Sequence, residues 1–544
     1  MKKLISYIIG SALLIAGSTS CSKEYMDLGP ENSTTADQLF SSPESAQYHV
    51  NGMCRLMQSQ YQGDFGQGFN GEGTIKLYFG ELTGVDAQRP LHTGWSNPYN
   101  FNYNQSGTSI YNYYCWYYYY KQIGNANILL ENCKPGTSKD LDYVIAQALT
   151  IRAYGYAQLA QWYCRRWSDR NGESRGLPLR LDTSSDEIGA SSMKAVYKQI
   201  YKDLDDAIAL FKSCGKSRAS GDYWHPSIEV AHAIYTRAAM NREDWDTAIA
   251  HAKEARKGHP IMGITNYEAG FYQPNSEWIW DAYQDSNQNI YYYSYHAYTA
   301  VNANTSVNRN YPWAISKELI EQIPETDKRL SLFVRPTEDE VEEGEDKGLD
   351  PSKEVTNKNN PTYYARVKKD YGQWLQSSTK LLYYMTFKVR IEPGTAYGVG
   401  EVVLFRSAEM YYSEAEAYCA KGDDANARKA LEEAVTPYDP KFSAENLSGD
   451  ALRDEIRKYR RFDLYQEGNN FPDFKRWGLD HIRHKWSEGG SWTTNFCGTG
   501  TTGGCFGPND KNKWCLCYPS IETTYNKAVT TFESDDWRPD EGYE

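Results

Sequence analysis

The chain has 544 residues, a formal net charge of -13 and 24% charged side chains. Its mean hydropathy of -0.72 suits a large body in water with enough chain for a sizeable core, and its acidic balance excludes nucleic-acid binding, which needs a basic face to displace counterions. Forty-six tyrosines and 15 tryptophans raise the aromatic content to 14%, more than a core demands, and Tyr joins a flat apolar face to a polar tip suited to wet recognition surfaces.

Lys2 and Lys3 make a basic start, and Leu4 to Gly17 is an apolar stretch of about 14 residues, too short to span a membrane. Residues 1–20 therefore read as a signal peptide. Cys21 follows the small residues Ser18, Thr19 and Ser20, the position where a bacterial lipoprotein is acylated and cleaved. The other reading is an ordinary signal peptide with an incidental cysteine. Residues 21–37 are polar and cannot bury enough apolar surface to fold alone, so they form a tether that leaves the folded body in water beside the membrane. Residues 38–544 read as one domain.

Helical periodicity follows from Ile110 to Leu130 and then recurs in pairs. Tyr143 to Trp162 precedes Met193 to Phe211, and Ile228 to Met240 precedes Asp244 to Ala252. Leu404 to Ala420 precedes Ala425 to Ala434. Small residues and short turns predict a mostly α, tetratricopeptide-like scaffold of helical hairpins without a strict repeat. Between the hairpins lie aperiodic insertions at about 61–105, 268–312, 337–360 and 486–517, the second opening with an apolar Trp278-Ile279-Trp280 strand. Insertions of this length in a compact protein are functional or unstructured. The acidic run Glu338 to Glu343 reads as a solvated loop in preference to a calcium site.

Cys54, Cys115, Cys133, Cys164, Cys214 and Cys419 read as buried thiols. Cys497, Cys505, Cys515 and Cys517 cluster without a CxxC pair, leaving disulfides, free thiols and a zinc site as alternatives, with disulfides favoured in an exported chain.

Two segments are more distinctive. Leu404-Phe405-Arg406-Ser407-Ala408-Glu409-Met410-Tyr411-Tyr412 leads through Glu416 to Lys421-Gly422-Asp423. Tyr459-Arg460-Arg461-Phe462-Asp463-Leu464 leads through Glu467-Gly468-Asn469 to Asp473-Phe474-Lys475-Arg476-Trp477-Gly478. Asp463 and Glu467 have the spacing of a carboxylate pair for glycoside hydrolysis, but the interleaved arginines predict an internal ion-pair network with depressed carboxylate pKa values, unsuited to acid catalysis. No P-loop, dinucleotide fingerprint, HExxH or nucleophile elbow appears elsewhere.

These two segments resemble the SusD/RagB family of outer-membrane nutrient-binding lipoproteins. Weaker likenesses support them at Tyr117 to Asn127, Ile151 to Tyr163, Gly176 to Leu179, Leu319 to Phe333 and the terminal Gly542-Tyr543. The resemblance implies a binding protein with no reaction and no cofactor of its own. Such a protein captures a glycan and hands it to a SusC-like TonB-dependent transporter, and acylated Cys21 anchors it in the outer membrane, facing outward. It further implies a shallow aromatic arc on the inserted loops. The matching platforms are Trp95 and Trp313, with Tyr291, Tyr292, Tyr293, Tyr295 and Tyr99 nearby, and Asp86, Arg89, Asn97 and Arg309 as partners for hydroxyl groups. No metal is expected. Alternatives are a peptide ligand within the same family, or a helical scaffold whose concave groove binds other proteins.

Overall fold

The computed structural model describes residues 39–60, 65, 68–88, 106–284, 294–395, 398–491, 515–533 and 538. Helix α1 (Pro43–Leu56) starts at Ser42, whose hydroxyl accepts from the Ser45 N–H. Helix α2 (Glu72–Thr74) runs directly into a π-helical turn, Ile75–Glu81, in which every residue is buried. The Leu82 N–H donates to the Leu77 carbonyl five residues back, at 2.9 Å. This stretch falls within the first insertion, where the sequence predicts irregular chain. A helix buried on all sides has no polar face and so leaves no amphipathic period to read.

Serines also cap the long helices that follow: α3 (Ile110–Asn132), α4 (Lys139–Tyr163), α5 (Met193–Cys214) and α6 (Ile228–Arg242). Ser109, Ser138, Ser192 and Ser227 accept from the N–H groups of Tyr111, Leu141, Ala195 and Val230 at 3.3, 3.1, 3.1 and 3.4 Å. Each satisfies a donor that has no partner inside its helix. Helix α7 (Trp245–Ala255) completes this group. In chain order, α3 lies on α4, α4 on α5, α5 on α6 and α6 on α7. Gly155 permits the closest of these approaches, because a Cβ there would stand 2.9 Å from Ile123 Cγ1.

The acidic run also departs from expectation. It forms helix α8 (Glu338–Asp346), started by a capping box in which Thr337 and Glu340 satisfy each other's N–H groups at 2.9 and 3.2 Å. Buried Glu340 then takes a two-point contact from Arg366 of α9 (Pro361–Tyr371) at 2.7 and 2.8 Å. Helices α10 (Ser407–Ala420), α11 (Asp424–Val435) and α12 (Gly449–Asp463) extend the array, α10 packing on α7, α11 and α12. The first residues assigned to α10 by periodicity are instead a strand, since Val402 to Phe405 is a short apolar run rich in β-branched residues. Helix α13 (Asn470–Trp477) and the short α14 (Ser520–Tyr525) end the described chain.

Among the described residues, four strands form two antiparallel pairs. Strand β1 (Ala87–Gln88) pairs with β3 (Ala314–Ile315), and β2 (Trp278–Ala282) pairs with β4 (Val402–Arg406). Among the described residues the main hydrophobic core draws on side chains from Ala46 to Val529, and a small second cluster joins α6, α7 and α10. Among the described residues no helix is long and apolar enough to cross a membrane. Cys515 and Cys517 are buried, with Cys515 Sγ donating to the Cys164 carbonyl at 3.0 Å; Cys497 and Cys505 lie outside the described residues.

An ion-pair network occupies the centre of this core. Arg406, at the end of β4, is 1% exposed. Its guanidinium meets Glu277 at 2.9 Å, Asp463 at 2.7 Å and Glu467 at 2.8 Å. Lys388 Nζ reaches Glu467 at 2.6 Å and the carbonyls of Asp463 and Tyr465 at 2.7 Å each. Arg329 bridges Asp327 at 2.6 Å and Asp463 at 3.1 Å. Burial alone would raise the Asp463 carboxyl, but Arg406, Arg329 and Lys388 outweigh it and bring it from 3.8 to about 2. Glu467 is held low against the same burial by Arg406 and Lys388. The low carboxylate pKa values fit the expectation, but Arg406, Arg329 and Lys388 supply the charge, while the interleaved Arg460 and Arg461 turn to Asp473 and Asp86.

Replacing Arg406 with Met should leave three buried carboxylates short of a partner and cost about 3–5 kcal/mol, read as a fall in the urea midpoint. A midpoint equal to that of the unsubstituted chain would refute the hub. The acid limb offers a second check. The folded pKa of Asp463 lies below its ordinary 3.8, so its contribution is complete above that value and is withdrawn as pH falls through 3.8 to about 2. Thermal midpoints should therefore drop across that window, and Asp463→Asn should flatten the drop while lowering the plateau above it.

Candidate ligand-binding site

Segments 89–105 and 285–293, with Arg89, Trp95, Asn97, Tyr99 and Tyr291 to Tyr293, lie outside the described residues. Their roots are well defined. The first leaves β1, where Gln88 pairs with Ala314, the residue after Trp313. The second ends at a short helix, Tyr295–Thr299, capped by Ser294. Trp313 joins the two roots, its Nε1 donating to the Tyr298 carbonyl at 2.6 Å. The chain entering the first segment and the chain leaving the second are therefore joined through Trp313.

Trp313 itself differs from its expected role. It is 2% exposed, and Tyr295 is 6% exposed, so neither ring face is offered as a platform. Tyr295 donates its hydroxyl to the Gln466 carbonyl, within the turn after α12. Both residues support the segments from beneath. The physical reason is chain context: their neighbours are polar or small, which imitates an exposed segment, while long-range packing covers the rings.

Asp86 is corrected in the same way. It is fully buried and accepts from Arg461 Nε at 2.9 Å and Nη2 at 2.6 Å, with Asn470 Nδ2 donating to it as well. Its carbonyl accepts from the Ser316 N–H at 2.9 Å. A carboxylate with both oxygens on one guanidinium is committed to holding β1 against α12, α13 and the chain after β3, and is not available to a sugar hydroxyl. Arg309 keeps partial exposure; its guanidinium donates to the Asn304 side chain and its carbonyl fixes the Lys380 N–H at 2.9 Å.

The carboxylates singled out for hydrolase-like spacing, Asp463 and Glu467, are enclosed by the Arg406 network and both held below their ordinary pKa. Neither can deliver a proton to a leaving group near neutral pH. Among the described residues no group of three or more His, Cys, Asp or Glu side chains could hold a metal ion.

One concave surface was not singled out by sequence reasoning. Tyr113, Trp116, Tyr117 and Tyr120 of α3 line a groove of about 590 Å³, closed by the chain around Arg180 and by α14. Their three- and four-residue spacing was a legible signal, but in a helix rich in tyrosine on every side it does not tell the core face from the open one.

Two family models match the chain. One, described as starch-binding and associating with the outer membrane, matches residues 78–238. The other, described as the SusD family, matches residues 245–539. No curated protein matches the chain in sequence. Among solved structures, a SusD-like carbohydrate binding protein from Bacteroides vulgatus aligns with a TM-score of 0.71 at 20% identity, covering 90% of this chain and 97% of that one. A SusD superfamily protein from Bacteroides thetaiotaomicron aligns at 0.68 and 20%, covering 90% and 99%. Another from Bacteroides fragilis aligns at 0.64 and 20%, covering 90% and 100%. These likenesses show a shared fold. Since the second model alone spans more than half of the residues, the chain belongs to the SusD family.

Proposed function

We propose that this protein is a cell-surface lipoprotein that captures a glycan and passes it to a SusC-like TonB-dependent transporter in the outer membrane. Family membership is the observation that carries the reading, since it implies a glycan-binding surface protein of nutrient uptake associated with the outer membrane. The geometry supports it. Trp313 links the chain that enters the first tyrosine- and tryptophan-bearing segment to the chain that leaves the second. Trp95 and Tyr291 to Tyr293 are the platforms in this reading, with Arg89, Asn97, Tyr99 and Arg309 meeting hydroxyl groups. Shallow stacking and partly hydrated hydrogen bonds leave little surplus after ordering costs. Weak, reversible capture suits a protein that must release its cargo to a transporter.

Anchoring follows from Cys21. Cys21→Ala should move the protein from the membrane to the soluble fraction of cells with its thermal midpoint unchanged; retention in the membrane would refute acylation there.

The site is tested by separating platform from base. Trp95→Ala should abolish retardation of the protein in native gels containing its polysaccharide, drawn from a panel of starch, plant, fungal and host glycans, while leaving the fold intact. Trp313→Ala should instead destabilise the fold by about 3–5 kcal/mol through the cavity it leaves. Undiminished retardation of Trp95→Ala would sink the platform assignment, and binding to peptides alone would replace the glycan by a peptide.

A further inference from the structure

The groove on α3 has walls that are already fixed. The Trp116 indole donates to Glu522 of α14 at 3.2 Å, and the Tyr120 hydroxyl donates to the Pro178 carbonyl at 2.8 Å. Asn127 holds the facing chain by donating to the carbonyls of Arg180 and Asp182 at 2.9 and 3.0 Å. Arg180 in turn reaches Glu522 at 3.4 Å, joining the second wall to the third. Side chains pinned by their polar tips present ring faces in set orientations, so little rotamer freedom remains to be lost on binding.

Those faces are arranged in steps. Tyr113 and Tyr117 have ring centroids 5.8 Å apart, and Trp116 and Tyr120 4.7 Å apart. Exposed large apolar side chains gather at the same place. Tyr525 is 77% exposed, Ile521 42% and Ile128 36%, and all three line the groove. Soluble surfaces seldom concentrate such groups without a partner for them. The volume of about 590 Å³ falls within the range of clefts that hold small ligands. The charged rim balances, with Lys121 and Arg180 facing Asp182 and Glu522, which favours an uncharged occupant over an acidic or basic one.

We infer that this groove is a second glycan-binding site, stacking the apolar faces of neutral sugar rings on Tyr113, Tyr117 and Tyr525 while the mixed-charge rim meets their hydroxyl groups. This inference rests on the glycan reading of the protein and adds a second contact for the same polymer. Two weak sites on one chain raise the affinity for a long polymer far more than for a short fragment, because the second contact becomes intramolecular.

The test uses the protein purified in detergent from membranes. Native gels containing soluble starch, a mannan, a pectic galactan or mucin glycans identify the polymer that retards it. Calorimetric titration with short oligosaccharides of that polymer then counts sites. Two sites per chain are expected, falling to one in Tyr117→Ala and in Tyr525→Ala, with polymer affinity about tenfold weaker. Tyr525 is exposed enough that its loss leaves folding unaffected, which a matching thermal midpoint would verify. An unchanged site count in both variants overturns the proposal and leaves the loop site standing. Loss of transporter co-purification in the variants, with the site count unchanged, also overturns it and makes the groove a protein contact. If no polymer in the panel retards the unsubstituted protein, the glycan reading fails and the second site fails with it.

Discussion

A guanidinium withdrawn from water must have its charge and its donors met by groups brought to it, and Arg406 draws those groups from widely separated parts of the chain. Glu277 stands just before β2, Asp463 closes α12, and Glu467 sits in the turn beyond it. None of these positions can move alone, because removing one member strands the others in a medium where an unpaired charge is costly. Lys388 and Arg329 enlarge the cluster. The β2–β4 pair, the end of α12 and the turn after it are thereby locked to one another.

From that lock the candidate site takes its footing. Lys76, in the π-helical turn, donates to the Glu467 carbonyl at 2.5 Å, and a Cβ on Gly80 would collide with the backbone of Gly468. Glycine at both positions lets two backbones meet where any side chain would hold them apart. The π turn leads into β1 and so to the first aromatic segment, while β2 leads to the second. Asp86, Trp313 and Tyr295 then hold the roots of these segments in place. Three residues that a sequence reading assigns to the ligand surface, Asp86, Trp313 and Tyr295, thus lie inside the fold.

Helix α5 was legible because its burial is one-sided, and the ionic character of the Arg460 to Arg476 region was legible because arginines alternate with carboxylates there. What escaped has a common cause. The turn Ile75–Glu81 is buried on every side and so carries no period. Trp313 and Tyr295 are buried by partners distant in sequence, such as the Tyr298 and Gln466 carbonyls, and local alternation with polar residues misrepresents them. The acidic run became helix α8 because Thr337 caps it and Arg366 neutralises Glu340, one a local signal and the other a contact across the fold. Strand β4 shows the same limit, since a short apolar run before a helix reads equally well as that helix's first turn.

The distribution of charge bears on what kind of ligand such a scaffold can hold. Asp463, Glu467 and Asp473 are each spent on arginine or lysine partners inside the fold, and Asp86 is spent on Arg461. On the glycan reading proposed above, recognition falls to neutral rings and to polar groups at the rim, which discriminate by shape and hydroxyl pattern more than by charge. Stacking of this kind tolerates variation along a polymer and gives up each ring easily. On that reading the protein divides two demands between two regions: a charged interior that holds one geometry, and aromatic segments outside it that can change their ligand without disturbing the fold.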